Sequence, residues 1–177
     1  MKPEIATGII KRKLKSEPEV RIKIQGSCME PFILDNQVAI VKSCDLGDLK
    51  IGDIVLLFAL DSLRIHRIVH VDYQKTIFYT KGDNALSYDP LLYNTEIIGA
   101  VSEIEGSNIN INNNGRLIKV IAYFSWKEGY YFNKLQRKNS SNYKLFMKMH
   151  KLIKSYFVNL YVKKNISLYS KGVDKCS

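Results

Sequence analysis

A chain of 177 residues that is 46% hydrophobic and 25% charged is long enough to bury a core, which excludes a disordered or low-complexity protein. Three cysteines with no close pair argue against a disulfide framework and point to a reducing compartment. The net charge of +10 is unevenly placed: residues 1–115 carry 13 Lys+Arg against 15 Asp+Glu (−2), and residues 116–177 carry 14 against 2 (+12). That division sets the expected organisation: a lead-in over 1–19, a core domain over 20–115 and a basic extension over 116–177.

Residues 1–19 read as an irregular or partly helical lead-in, too short for a DNA-binding domain. The basic patch Lys11-Arg12-Lys13 is followed by no apolar region of the secretory type. The longest apolar run, residues 54–60, has seven residues, against the roughly 18 to 20 needed to cross a bilayer. Residues 20–25 alternate, so a strand with Val20, Ile22 and Ile24 on one face is expected. Gly26 then permits a tight turn, Cys28 is presented just beyond the strand end, and Pro31 prevents continuation as a ladder strand. A side chain exposed on a sharp turn after a strand is a common way to present a nucleophile. A lone cysteine is, on its own, more often a small buried hydrophobe.

Short strands are expected over residues 37–41, 53–59, 63–73, 76–80 and 95–103, separated by turn chemistry such as Asp45-Leu46-Gly47-Asp48 and Lys50-Ile51-Gly52-Asp53. Asn112-Asn113-Asn114-Gly115 reads as the domain edge. The fold class that follows is mainly β, a coiled or barrel-like antiparallel sheet with a C-terminal helical extension. Within 63–73, alternation places His66, Ile68 and His70 on one face and Ile65, Arg67, Val69 and Val71 on the other. His66 can thus face a cleft that also holds Cys28, while His70 has only a structural reading. No metal site is expected: at roughly 3.3 Å per residue His66 and His70 lie about 13 Å apart on a straight strand, too far for one zinc, and no Cys-x-x-Cys pair is present.

Three blocks, Gly26-Ser27-Cys28-Met29-Glu30-Pro31, Arg64-Ile65-His66-Arg67-Ile68-Val69 and Thr80-Lys81-Gly82-Asp83-Asn84 with Asp89, resemble in order and spacing those of the signal peptidase family, whose fold is shared with LexA-type self-cleaving repressors. Cys28 stands where that family has its catalytic serine. The His-Arg-Ile-Val block resembles the branch that uses histidine rather than lysine as base. The resemblance covers about residues 20 to 104. It implies a Cys28–His66 dyad, with Asp83 first, and Asp89 after it, orienting His66 or supporting its strand end. It also implies an oxyanion donor at the Cys28 N–H within the Gly26–Ser27–Cys28 turn, and a groove shaped by Met29 and Pro31. A hydroxyl that some members carry two residues before the nucleophile is replaced here by Gly26, with Ser27 as a substitute donor. A thiol suits a histidine base, because imidazole and thiol are matched in acidity near neutrality. The implied substrate is a signal or leader peptide bound as an added strand, with small side chains in shallow pockets.

Residues 142–164 place Lys144, Lys148, Lys151 and Lys154 at helical spacing, with Leu145, Phe146, Met149, Leu152, Ile153, Tyr156, Phe157 and Leu160 largely on other faces. This basic amphipathic helix could lie on an anionic membrane, bind an acidic leader peptide or pack on the sheet, and residues 116–131 could join it in a helical subdomain. The expectation is a cysteine endopeptidase without cofactor, cytoplasmic or peripheral on the inner face of a membrane, removing a leader from a precursor such as a ribosomally made modified peptide. The alternatives are a catalytically inactive peptide-binding member of the same fold and a basic nucleic-acid-binding protein. The latter's binding would fall steeply with salt and need no Cys28, and the tail lacks a recognised reading motif.

Overall fold

The computed structural model describes residues 2–89, 96–107, 115–135 and 141–173. The lead-in is a regular helix, α1 (Pro3–Ser16), with Pro3 in its first turn and Thr7, Ile10 and Leu14 buried along one side. Six strands follow, β1 (Val20–Lys23), β2 (Val38–Lys42), β3 (Ile54–Ala59), β4 (Ser62–Asp72), β5 (Ile77–Lys81) and β6 (Glu96–Ile104), and then two helices, α2 (Arg116–Leu135) and α3 (Ser141–Val173). The expected strands are all present, each within one or two residues of its expected ends. Of the expected domain edge, Asn112, Asn113 and Asn114 lie outside the described residues. No described helix is long and apolar enough to cross a membrane.

The strands form one antiparallel sheet in the order β1-β2-β6-β3-β4-β5. The mainly β antiparallel expectation is met, but the sheet is open and not barrel-like: β1 and β5 are edges that do not pair with each other. Strand lengths were readable from alternation, whereas closure depends on edge pairing, which alternation does not encode. The register breaks between Ile68 and His70, where Ile68 lies opposite Thr80 but His70 lies opposite Tyr79. Thr80 and Tyr79 are neighbours on β5 and point to opposite faces, so His70 leaves the face of Ile68. This corrects the simple alternation, which put both on one face. His70 instead stacks on Trp126 of α2, with ring centres 4.6 Å apart.

Apolar side chains gather on both faces. One cluster joins Ile10 and Leu14 of α1 and Met29, Phe32 and Ile33 after β1 to the sheet and to Ile118, Ile121, Val158 and Tyr161 of the two C-terminal helices. The other holds Leu49, Val55, Leu57, Ala59, Ile68 and Val71. Side chains of α2 and α3, set apart by charge, therefore share a core with the sheet. α3 packs on the rest of the fold by a side that mixes polar and apolar residues. His150, Lys154, Val158 and Tyr161 are buried, while Leu145, Met149, Leu152, Ile153, Tyr156 and Leu160 are exposed. Lys154 turns inward because a buried carboxylate on α2 receives it. The side chains of Lys144 and Phe146 lie outside the described set.

Candidate active site

The chain leaves β1 through Ile24, whose N–H and C=O bond Gln37 and Asn36, and turns at Gly26, which has φ +92°. That left-handed conformation favours glycine, and the Gly26 N–H donates to Asp35 Oδ1 at 2.8 Å. Residues 27–33 then coil: Glu30 N donates to Ser27 O, and Phe32 and Ile33 N both donate to Met29 O. Met29 is 1% exposed and packs in the core, so it anchors this turn from beneath and does not line a groove surface as expected. Pro31, reached through a cis peptide bond, is exposed and borders a small cleft of about 150 Å³ with Asn84, Leu86 and, from α3, Lys151, Ser155 and Asn159.

Cys28 meets two other segments. The Asn84 N–H donates to the Cys28 carbonyl at 2.8 Å, and the Cys28 side chain and the Nε2 edge of the His66 ring meet over Gly82. Gly82 makes this approach possible: a Cβ there would stand 2.7 Å from the Cys28 carbonyl oxygen and 3.1 Å from both Cys28 Cβ and His66 Nε2. Only a residue without a side chain fits between the Cys28 turn and the His66 ring. His66 lies in the middle of β4 opposite Val55 and is 6% exposed. Its Nδ1 donates to Asp89 Oδ2 at 2.6 Å, which fixes the ring with Nε2 towards Cys28.

Asp89 is held in turn by Thr80 Oγ1 at 2.7 Å, by Arg64 at 3.0 Å and through its own N–H, which donates to Thr80 O. Burial pushes the Asp89 carboxyl up, but the bond and charge of His66, with Thr80 and Arg64, hold it below the usual carboxylate range. Burial pushes His66 down, but the hydrogen bond to Asp89 and the charges of Asp89 and Cys28 beside the ring outweigh it and lift it from 6.5 to about 9. The arrangement runs from a half-buried thiol to a buried imidazole and a buried carboxylate. It can hold a proton on His66 at neutral pH and return it to a leaving group.

Comparison with family models, curated proteins and solved structures finds no match.

Asp83 plays a different part. Both its carboxylate oxygens accept from Arg67, at 2.8 to 3.2 Å, and Arg67 also donates to Gly52 O and lies over the Phe32 ring. This fully buried pair ties the loop after β5 to β4 and leaves His66 to Asp89. Ser27 is exposed, and its carbonyl accepts from Asn84 Nδ2. Lys81, the one lysine within the three blocks, points away from Cys28, with Nζ 3.1 Å from Ser125 Oγ and 2.9 Å from Glu128 Oε2. Burial, with the Lys154 charge, pushes Lys81 down to about 8 despite that carboxylate.

Four contributors escaped the sequence reading. Arg64 and Thr80 sit inside the blocks but act only through Asp89. Glu128 of α2 accepts from both Lys81 and Lys154, and Lys154 Nζ also donates to Asp83 O at 2.7 Å. Tyr88, one residue before Asp89, reaches the Trp126 carbonyl, and its ring fills the space that a Cβ on Gly129 would occupy. The two C-terminal helices thus grip the 82–89 loop on which the site depends. A signal for Glu128 did exist: it is the only acidic residue between Glu105 and Asp174.

Proposed function

We propose that the chain is a thiol endopeptidase, with Cys28 as nucleophile, His66 as general base and then acid, and Asp89 as the group that orients and charges His66. The observation that carries this is the close approach of the Cys28 side chain and His66 Nε2 over Gly82, a position that admits no side chain, with the other ring nitrogen held by Asp89. Transfer of the Cys28 proton to His66 Nε2 yields thiolate and imidazolium. The sulfur attacks the peptide carbonyl, and the Cys28 N–H on the turn is placed to receive the oxyanion. His66 gives its proton to the departing amine, leaving a thioester and a free new amino terminus. A water then transfers a proton to His66 and its oxygen to the acyl carbon, releasing the acid and restoring the thiol.

Both edges of the sheet, β1 and β5, run into this site, so a substrate can lie alongside as an extended strand. The resemblance to the histidine-base signal peptidases supports a leader or signal segment of a precursor as the substrate. The thiol nucleophile supports work in a reducing compartment, such as maturation of a ribosomally made peptide.

The test is alkylation by iodoacetamide near neutral pH, followed by peptide mass spectrometry. Cys44 is the internal control, since burial and then Asp45, Asp53 and Asp48 push its thiol up. Cys28 should react fast, and His66→Ala should slow it more than tenfold without changing Cys44. An inert Cys28, or one indifferent to His66, would overturn the dyad and leave the inactive peptide-binding alternative.

A further inference from the structure

We infer that α3 docks this protein onto an anionic lipid surface, with the helix lying in the plane of the interface. Six residues, Leu145, Met149, Leu152, Ile153, Tyr156 and Leu160, recur at helical spacing and project away from the sheet; Leu152 and Tyr156 are each 63% exposed. At 1.5 Å per residue the stripe runs for about 22 Å along one side of α3. The opposite side, with His150, Lys154, Val158 and Tyr161, is buried. The described fold covers the mixed polar and apolar side of this helix and leaves the apolar stripe uncovered. Exposed apolar surface that is contiguous and this long marks an interaction site.

Charge decides the occupant. From Ser141 to Val173 the helix carries seven lysines and no acidic residue. Lys148 and Lys151 are exposed along one flank of the stripe, and Lys163 is exposed beyond its end. A second copy laid on the stripe would bring two acid-free helices together, like charge against like. An anionic bilayer neutralises the lysines and takes up the leucines, with the Tyr156 ring at the level of the headgroups. The flank beside the stripe supplies Lys151, Ser155 and Asn159 to the cleft next to Pro31. Docking therefore sets that cleft beside the lipid surface, whether or not Cys28 cleaves a peptide.

Flotation with vesicles tests this, using phosphatidylcholine alone and phosphatidylcholine with about one-third phosphatidylglycerol. The full chain should float with the anionic vesicles and stay behind with the neutral ones. Leu152→Glu with Tyr156→Glu should reduce partitioning more than tenfold, as should Lys148→Glu with Lys163→Glu, while both variants keep the native alkylation rate of Cys28. Three results would overturn the inference: no flotation with anionic vesicles at low salt, flotation indifferent to the Leu152/Tyr156 variant, or a concentration-dependent dimer in solution that this variant dissolves.

Discussion

Folding stability should fall as pH rises from about 6.5 to about 9, and His66 should be the cause. In the unfolded chain its pKa is 6.5; in the fold, Asp89 and Cys28 beside the ring lift it to about 9. Between those values the folded state holds a proton that the unfolded state has released, so raising pH favours unfolding. At 1.36 kcal/mol per pH unit the rise is worth at most about 3 kcal/mol, fully present below pH 6.5 and gone above about 9. Lys81 acts in the opposite sense. Its folded value of about 8 lies below the ordinary 10.5, so it adds stability as pH rises from about 8. The net profile should therefore decline from neutrality and flatten near pH 8 to 9. The assay is urea unfolding at a series of pH values for the native protein and His66→Gln, with the difference between the two curves isolating the histidine. Parallel profiles across this window would refute the reasoning, because they would mean that His66 binds its proton no more tightly in the fold than out of it.

The two aspartates should separate cleanly. Asp89→Asn should cost about 10³-fold or more in peptide turnover with the fold retained. Asp83→Asn should instead lower stability by about 3–5 kcal/mol in chemical denaturation, since it leaves Arg67 buried without its counter-charge; equal effects on both readouts would contradict the division of roles. Gly82→Ala forces a methyl to 2.7 Å from the Cys28 carbonyl, and should slow Cys28 alkylation more than tenfold and lower stability by about 1–3 kcal/mol. Unchanged values for both would show that the turn can move aside. Glu128→Gln should destabilise by about 3–5 kcal/mol, and the triple change Lys81→Met, Glu128→Leu, Lys154→Met by clearly less, as read from denaturation midpoints. A single variant no worse than the triple would show that the carboxylate is not holding the two ammonium groups.

Short-range patterns were legible and long-range pairings were not. Alternation in 63–73 located β4 and put His66 inside it, because one face of that strand is buried and the period is fixed at two. The same rule failed three residues later. Val69 is an extra residue in the β4–β5 ladder, and nothing in its neighbours' polarity announces a bulge. The turn at Gly26–Pro31 was readable from Gly and Pro, but Met29 was assigned to a groove because a motif says which residues cluster, not which way each points. Asp83 stood ahead of Asp89 as the expected partner of His66, and that order is reversed because Arg67, five residues from the end of β4, claims Asp83. Which side of α3 turns inward was illegible for the same reason: its inward lysine makes sense only with Glu128, a residue 26 positions earlier whose location no local pattern supplies.

The stacking of Trp126 on His70 has a practical consequence. Trp126 is the only tryptophan in the chain, it rides on α2, and its ring rests against a β4 side chain with the Lys127 ammonium 4.5 Å from its centre. Every tryptophan photon the protein emits comes from the seam between helix and sheet. Its emission colour and intensity are therefore a built-in gauge of whether α2 is seated, readable without a label, while the chemistry at Cys28 is followed in the same cuvette.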